Sequence, residues 1–445
     1  MLSKSSESTQ PPRLRKSLRR PLSTLVLHFR PKSVPAKTLK FSLTWGLGGM
    51  AAVLVLNQFA TGVLLKFVYQ PTVGGAYLSI VAFQNELLFG RLIRNLHYWG
   101  ANVLLLIMLL HLLRVFFTSA YRLPRRASWI VGLGLLIGVL TANFSGYLLP
   151  WDQLAYWATT VWTSMLGYVP GIGERLQQAL RSGDEIGQAS LQLFYTLHTA
   201  VVPVMLLVLL PYHFWRIRKA GGLVLPRSPG EPPDPSPPRL PVWPDLLVRE
   251  ASTSLCLMAL IMLLAVFLNA PLGDPANPGL SPNPTKAPWF MAAFQELLLH
   301  MHPVFAVLVI PLLVFGGLVA LPFLVFPKNS AGVWFVSDVG RRTAIIATVT
   351  ALILTPIVIV GSDFFLRPNT WFTWAPSILK EGLIPTVLLI AVAAGMYIIV
   401  RIQWKGDKNE AIQAVFTMLV VAWIVMTVIC VWFRGEQMKL DWPWI

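Results

Sequence analysis

The sequence predicts an all-α polytopic membrane protein: a four-helix bundle followed by about five further transmembrane helices. Three observations lead there. The 445 residues are 55% hydrophobic and only 12% charged, about half the charged fraction of a soluble protein. Apolar runs near the roughly 20 residues a bilayer demands recur along the chain. Two of those runs each hold two histidines, a residue type that is costly inside a bilayer and marks function there.

Nine spans are expected, near 42–65, 96–117, 128–149, 195–216, 250–270, 303–326, 343–364, 383–402 and 411–433. About 40 residues precede the first, without a small-residue cleavage site, so no cleavable signal peptide is expected. Residues 220–247 form a Pro-rich linker, L-P-R-S-P-G-E-P-P-D-P-S-P-P-R-L-P, which cannot be helical. Five segments result: a basic N-terminal stretch (1–40), a four-span domain (41–219), the linker (220–247), a three-span half (248–365) and two extra C-terminal spans (366–445). The outer loops 150–194 and 271–302 are long, which suggests a pocket between them. The first includes an amphipathic stretch, Gly167–Leu180.

The formal net charge is +17. A basic chain invites a nucleic-acid reading, but the distribution of charge argues against it. Residues 1–40 hold ten Lys/Arg. Arg114, Arg122, Arg125, Arg126, Arg216, Arg218, Lys219, Arg227, Arg239, Arg249, Lys328, Arg341, Arg342, Arg401, Lys405 and Lys408 complete 26 of the 36 basic residues, all at one set of span ends. This is the positive-inside pattern, and it sets the N-terminus in the cytoplasm. Cys256 and Cys430 lie in apolar spans, without a haem-attachment or iron–sulfur spacing. Any c-type haem or Rieske cluster therefore belongs to another subunit.

His97 and His111 are 14 residues apart, and His198 and His213 are 15 apart. At about 1.5 Å per residue each pair spans roughly 21–22 Å, near four turns, so both members share a helix face. Two such helices side by side offer two stacked imidazole pairs. That geometry suits two haems, each with an imidazole on both sides of its iron. Gly48 and Gly62 in the first span, and Gly132 and Gly146 in the third, repeat the 14-residue interval. Glycine admits a flat macrocycle or a neighbouring backbone. One such pair would read as ordinary helix packing; two at the histidine interval favour the haem scaffold.

Residues 45–222 resemble the cytochrome b subunit of quinol:cytochrome c/plastocyanin oxidoreductases, particularly the chloroplast-type form. The matching stretches are A-T-G at 60–62, P-T-V at 71–73, L-I-R-N-L-H at 92–97, L-H-L-L-R-V at 110–115, S-G-Y-L-L-P-W-D-Q at 145–153, F-Y-T-L-H-T at 194–199 and I-R-K-A-G at 217–221. Residues 243–326 resemble that family's separate second subunit, fused here in one chain, and the last two spans fall outside the resemblance. The resemblance implies that His97 and His198 ligate an outer, low-potential haem b and His111 and His213 an inner, higher-potential one. It implies that Arg94 and Arg114 pair with haem propionates, although Arg114 also suits positive-inside anchoring.

The family oxidises quinol at its outer face, where a P-E-W-Y stretch supplies a proton-accepting glutamate. The aligned stretch here is Ala287-Pro288-Trp289-Phe290, which accepts no proton. Glu296, two turns beyond Trp289, is the substitute base if a membrane-level pocket raises its pKa; otherwise it is a solvated interfacial carboxylate. His300 and His302 read as interfacial structural residues or proton relays, and Tyr147 as a pocket wall or an aromatic-belt residue. Gly46 stands where the chloroplast-type subunit tethers a covalent c-type haem, so none is expected. Lys219, Arg218 and His28 are possible contacts of an inner quinone.

The function this implies is Q-cycle electron transfer: a di-haem subunit of a quinol--cytochrome c reductase-type complex, working with the quinone pool, a Rieske iron–sulfur protein and a c-type cytochrome. It implies a homodimeric complex in a bacterial-type inner membrane, surrounded by lipid. The alternative is a modified complex that lacks a standard quinol-oxidising site and exchanges electrons with a multihaem or other redox subunit. A haem-free transporter would leave the four-histidine grid without a role.

Overall fold

The computed structural model describes residues 31–232, 234–326, 331–365 and 373–441. His28 and Lys328 lie outside these residues. Hydrocarbon leaves backbone N–H and C=O groups no partner but each other, so an apolar run of span length folds as helix. Among the described residues nine helices meet that condition: α1 (Leu47–Lys66), α3 (Gly90–Phe117), α4 (Arg126–Leu148), α7 (Gln188–Lys219), α8 (Leu247–Phe267), α10 (Val304–Phe323), α11 (Asp338–Phe364), α12 (Ile378–Ile402) and α13 (Lys408–Trp432). Four shorter helices lie at the span ends that the charge pattern marks as outer: α2 (Ala76–Glu86), α5 (Gln153–Ser164), α6 (Gly173–Arg181) and α9 (Trp289–His300).

All nine expected spans are present, but α3 and α7 begin six and seven residues early. Apolarity marks only the hydrocarbon-crossing part of a helix. The 28 residues of α3 run about 42 Å, well beyond a hydrocarbon core of about 30 Å, and the excess carries Arg94 into the outer interface.

Three spans contain a π-turn that closely precedes a proline: Leu197–Val201 before Pro203, Val304–Val309 before Pro311, and Ile378–Leu383 before Pro385. Proline lacks the N–H that would bond four residues back, and the ladder relieves the defect with a wider turn. In α7 that turn holds His198. Its extra residue offsets the 15-residue interval to His213 against the 14 of the facing pair.

Helix α1 packs along α3, and α4 along α7, with α8 laid against α1 and α3. Their shared core comprises Leu54, Leu104, Leu105, Val139, Leu206 and Ile261. The second half centres on α13, which packs on α9, α11 and α12 around small residues that let the backbones approach: Ala347, Ala351, Ala411 and Ala414. On the inner side α13 starts with a capping box, Asp407 and Glu410 bonding each other's backbone N–H. Next to it, buried Asn409 and Gln413 donate to the 116–119 turn after α3.

The Pro-rich segment is tied down rather than free. Strand β1 (Ser33–Pro35) pairs antiparallel with β2 (Arg239–Pro241), and Arg227 bridges to Ala331. On the outer side Asp152 caps α5 through the Ala155 N–H and accepts a second bond from the Gly273 N–H. That carboxylate thereby joins the two long outer loops.

Candidate functional site

The bundle of α1, α3, α4 and α7 brings the four histidines together as two layers. His97 and His198 face each other with ring centres 6.0 Å apart and planes at 76°. A metal bound by both rings requires a similar spacing, roughly 6 Å, from about 2 Å of metal–nitrogen bond and about 1 Å of ring on each side. About four turns further along the same two helices, His111 and His213 lie close enough to influence one another electrostatically.

Each histidine ring rests against one of the four glycines. A Cβ on Gly62 would lie 3.3 Å from His97 Cε1, on Gly48 3.6 Å from His111 Cε1, and on Gly132 3.4 Å from His213 Cε1. On Gly146 it would come within 2.5 Å of His198 Cε1. The glycines are therefore seats for the rings.

Second-layer contacts fix the outer rings. His97 Nδ1 is 2.9 Å from Thr61 Oγ1, whose own proton goes to the Asn57 carbonyl, so the imidazole is the donor. His198 Nδ1 donates to the Ala142 carbonyl at 3.0 Å. In both rings the proton sits on Nδ1 and Nε2 keeps its lone pair for a metal, the usual arrangement of ligating histidines. In the inner layer His111 Nδ1 and Arg114 Nη2 are buried without a hydrogen bond. Arg114 gives only Nε, to the Leu43 carbonyl. A buried guanidinium with a spare donor is costly alone and fits an anionic propionate.

Arg94 is differently placed. Its nitrogens donate to Gln84 Oε1 and to the carbonyls of Ala270 and Pro271, at 2.7–2.8 Å. These bonds fasten the loop after α8 to α2 and α3. Gly46 has φ +67°, and a Cβ there would meet Thr253 Oγ1 at 2.5 Å, so any side chain at this position is strained.

A narrow apolar cavity opens between the C-terminal part of α5 and α9 with the segment leading into it. Ala158, Val161, Trp162 and Met165 form one wall, and Thr285, Ala287, Met291, Phe294, Gln295 and Leu298 the other. It encloses about 30 Å³, room for a water. A larger ring requires movement of its flexible methionine and leucine walls. Among the polar wall side chains, Thr285 gives its hydroxyl proton to the Pro282 carbonyl, whereas Gln295 Nε2 keeps a second N–H beyond its bond to Thr285. The Gln295 amide is held by the Ala287 N–H and the Thr285 carbonyl, both at 2.7 Å.

Glu296 corrects the expectation of a raised pKa. The carboxylate is fully buried on the opposite side of α9 from the cavity, gripped by both Nε and Nη2 of Arg434, with His300 Nε2 at 3.2 Å. Burial pushes the carboxyl up, but the hydrogen bonds from His300 and Arg434 and their charge outweigh it and hold the group below the ordinary value. A depressed carboxylate is a charge partner, poorly suited to take a quinol proton. Trp289 donates from Nε1 to Asn102 Oδ1 at 2.6 Å and braces α9 against α3. Tyr147 lies near Asp152 and Tyr98. Neither residue is among the cavity walls. His302 packs edge-on against Tyr168 and Phe305. At the other end of α7, its last residue Lys219 holds Nζ 5.6 Å over the Trp215 ring, and Arg218 precedes it.

Sequence reasoning passed over Arg434. Its signal was a cation at the outer end of an apolar span, against the positive-inside rule.

The family described as cytochrome b/b6/petB matches residues 33–221. Cytochrome b6 of Synechocystis sp. is 42% identical over 175 residues, which are 39% of this chain and 79% of that protein. Cytochrome b6 of Synechococcus elongatus is 41% identical over 175 residues, covering 81% of its length. A solved chain of a hyperthermophilic respiratory Complex III superposes with TM-score 0.65 at 22% identity, covering 94% of this chain and 97% of that one. The part left uncovered is shorter than α12 and α13 together, so the likeness of fold extends into the two last spans.

Proposed function

The chain belongs to the cytochrome b/b6 family, and from that premise we propose that it is the di-haem subunit of a quinol-oxidising bc-type complex. Family membership makes it an integral-membrane, b-type-haem redox subunit, with a half like the family's separate second subunit fused behind it. The proposal adds two haems, a quinol site on the outer face and an inner quinone site, coupled to proton translocation. It also adds the five-segment organisation given by the spans.

The carrying observation is the set of four histidines, each seated on a glycine, with an outer pair spaced 6.0 Å centre to centre. His97 and His198 would hold the outer haem, and His111 and His213 the inner one. Thr61 and the Ala142 carbonyl hold the outer rings in the ligating tautomer. Arg114 would neutralise an inner propionate with its spare nitrogen. Haem b, when bound, supplies reversible one-electron transfer at its iron.

The apolar cavity beside α9 is the proposed outer quinol site. Its apolar walls suit a quinol ring, and Gln295 offers a hydrogen bond to a quinol oxygen. The cavity-lining residues include no carboxylate or imidazole. The protons of quinol therefore leave to water or to a base on a partner subunit. A Rieske iron–sulfur protein with a c-type cytochrome is the proposed partner set, in a homodimeric complex of a bacterial-type inner membrane with the N-terminus cytoplasmic. The same absence favours, as a second reading, a modified complex whose electrons go to a multihaem subunit.

Haem content per chain and reduced-minus-oxidised spectra of the purified complex test the reading. Two haems b per chain are expected, falling to one in His97→Ala and in His111→Ala. One haem in the unaltered protein would overturn it.

A further inference from the structure

Helix α9 has two working faces. One walls the cavity with Met291, Phe294, Gln295 and Leu298. The other turns Glu296 and His300, one helical turn apart, towards the outer ends of α11 and α13. There Arg434, two residues past α13, gathers two carboxylates. Its Nε is 3.1 Å from Glu296 Oε2, Nη2 bonds Oε1, and Nη1 is 2.6 Å from Asp363 Oδ2 and 3.1 Å from the Met438 carbonyl. His300 closes the cluster, with Nε2 3.2 Å from Arg434 Nη2 and Nδ1 3.0 Å from Ser362 Oγ.

The same last turn of α13 reaches the cavity segment twice more. Cys430 Sγ is 3.5 Å from Gln295 Oε1, and Lys286 Nζ donates to the Val431 carbonyl at 2.9 Å. A buried ion pair is a poor source of net stability, because desolvation consumes most of its attraction. A bidentate guanidinium–carboxylate pair does fix orientation. Its use here is therefore geometric. Rotation of α9 about its axis would break the fork and swing Gln295 away from Thr285 and Ala287.

Resting on the reading of the cavity as the outer quinol site, we infer that Arg434, just beyond the ninth span, is a positioning residue for that site, acting through Glu296 to set the rotation of α9 and the aim of Gln295.

The test is steady-state oxidation of a short-chain ubiquinol and a short-chain menaquinol by the intact complex, with b-haem spectra recorded on the same samples. Arg434→Gln is expected to raise KM about tenfold, in line with the cost of a misplaced binding group, with both b-haem bands retained. Glu296→Gln combined with Arg434→Gln is expected to keep the raised KM, since the fork that orients α9 is absent whether or not a carboxylate is stranded; a return to the wild-type KM would mean that the stranded charge and not the lost fork moved the site, and would overturn the inference. An unchanged KM in Arg434→Gln would overturn the inference. So would loss of haem and kcat in step at constant KM, which marks a merely structural role. If Arg434→Gln fails to accumulate, Arg434→Lys keeps the charge without the fork; a KM rise of roughly threefold is expected, and a wild-type KM overturns. Leu298→Trp, which narrows the cavity directly, separates the two levels. If it raises KM and Arg434→Gln does not, this inference fails alone. If neither changes KM, the outer-site reading fails with it.

Discussion

Gly146 on α4 lies directly under the imidazole of His198 on α7, so closely that a methyl group in place of its hydrogen would sit 2.5 Å from Cε1 and 2.9 Å from Nδ1. The two helices meet at that distance because position 146 has no side chain. The π-turn before Pro203 presents the ring to it.

A graded outcome is expected for alanine at the four seats. Gly146→Ala must displace His198, whereas Gly48→Ala adds only van der Waals contact with His111 at 3.6 Å. Redox-titrated spectra should lose or shift the outer b-haem signal in Gly146→Ala and keep both signals in Gly48→Ala. Equal behaviour of the two variants would refute the seat role.

Thr61→Val removes the acceptor of the His97 Nδ1 proton while keeping the side-chain shape. Loss of such a second-layer partner typically weakens metal binding about 10–100-fold. The outer haem should be lost at lower detergent or imidazole challenge than in the wild type, with the inner haem unaffected. Thr61→Ser should behave as wild type.

Gln295→Leu deletes the amide that spans the Ala287 N–H and the Thr285 carbonyl. Two part-buried backbone groups lose their partner, at up to about 1–3 kcal/mol each. The quinol KM should rise and the thermal midpoint should fall together. Gln295→Glu retains acceptor capacity and should restore the bond from Ala287 only. A wild-type KM in Gln295→Leu would remove this side chain from the binding site.

The Glu296–Arg434 pair gives stability a defined pH dependence. The folded-state pKa of Glu296 lies below its ordinary value of 4.5. Its contribution is therefore complete above the ordinary carboxylate range and is lost as pH falls through the depressed value. Removing one partner of a buried pair costs about 3–5 kcal/mol. The thermal midpoint gap between wild type and Arg434→Gln should be full at pH 7–8, shrink as pH falls towards the ordinary carboxylate value, where burial already favours protonation of the stranded Glu296, and close as pH falls through the depressed value of the paired carboxylate. A gap independent of pH would contradict the charge argument.

Much of this was legible because hydrocarbon imposes local rules. Apolar run length marks a span, basic ends mark the inner side, and the 14-residue histidine interval marks one helix face, each without knowledge of neighbours. His97, His111, His198 and His213 needed no contact map, and neither did their glycines at the same interval.

The outer site was legible only in part. The spacing Trp289–Glu296 put both on one face of α9, and a carboxylate near a membrane pocket implied a raised pKa. That inference took no account of what faces Glu296 from α13, nearly 140 residues away.

The sequence by itself determined the spans, the orientation of charge and the histidine grid, because these follow from short-range periodicity and from the solvent. Only the tertiary structure decided that Glu296 is the partner of Arg434, that Arg94 holds loop carbonyls, and that Gln295 faces the cavity. Each of these depends on which element packs against a side chain, and distant charges and hydrogen bonds outweigh the effect of burial alone.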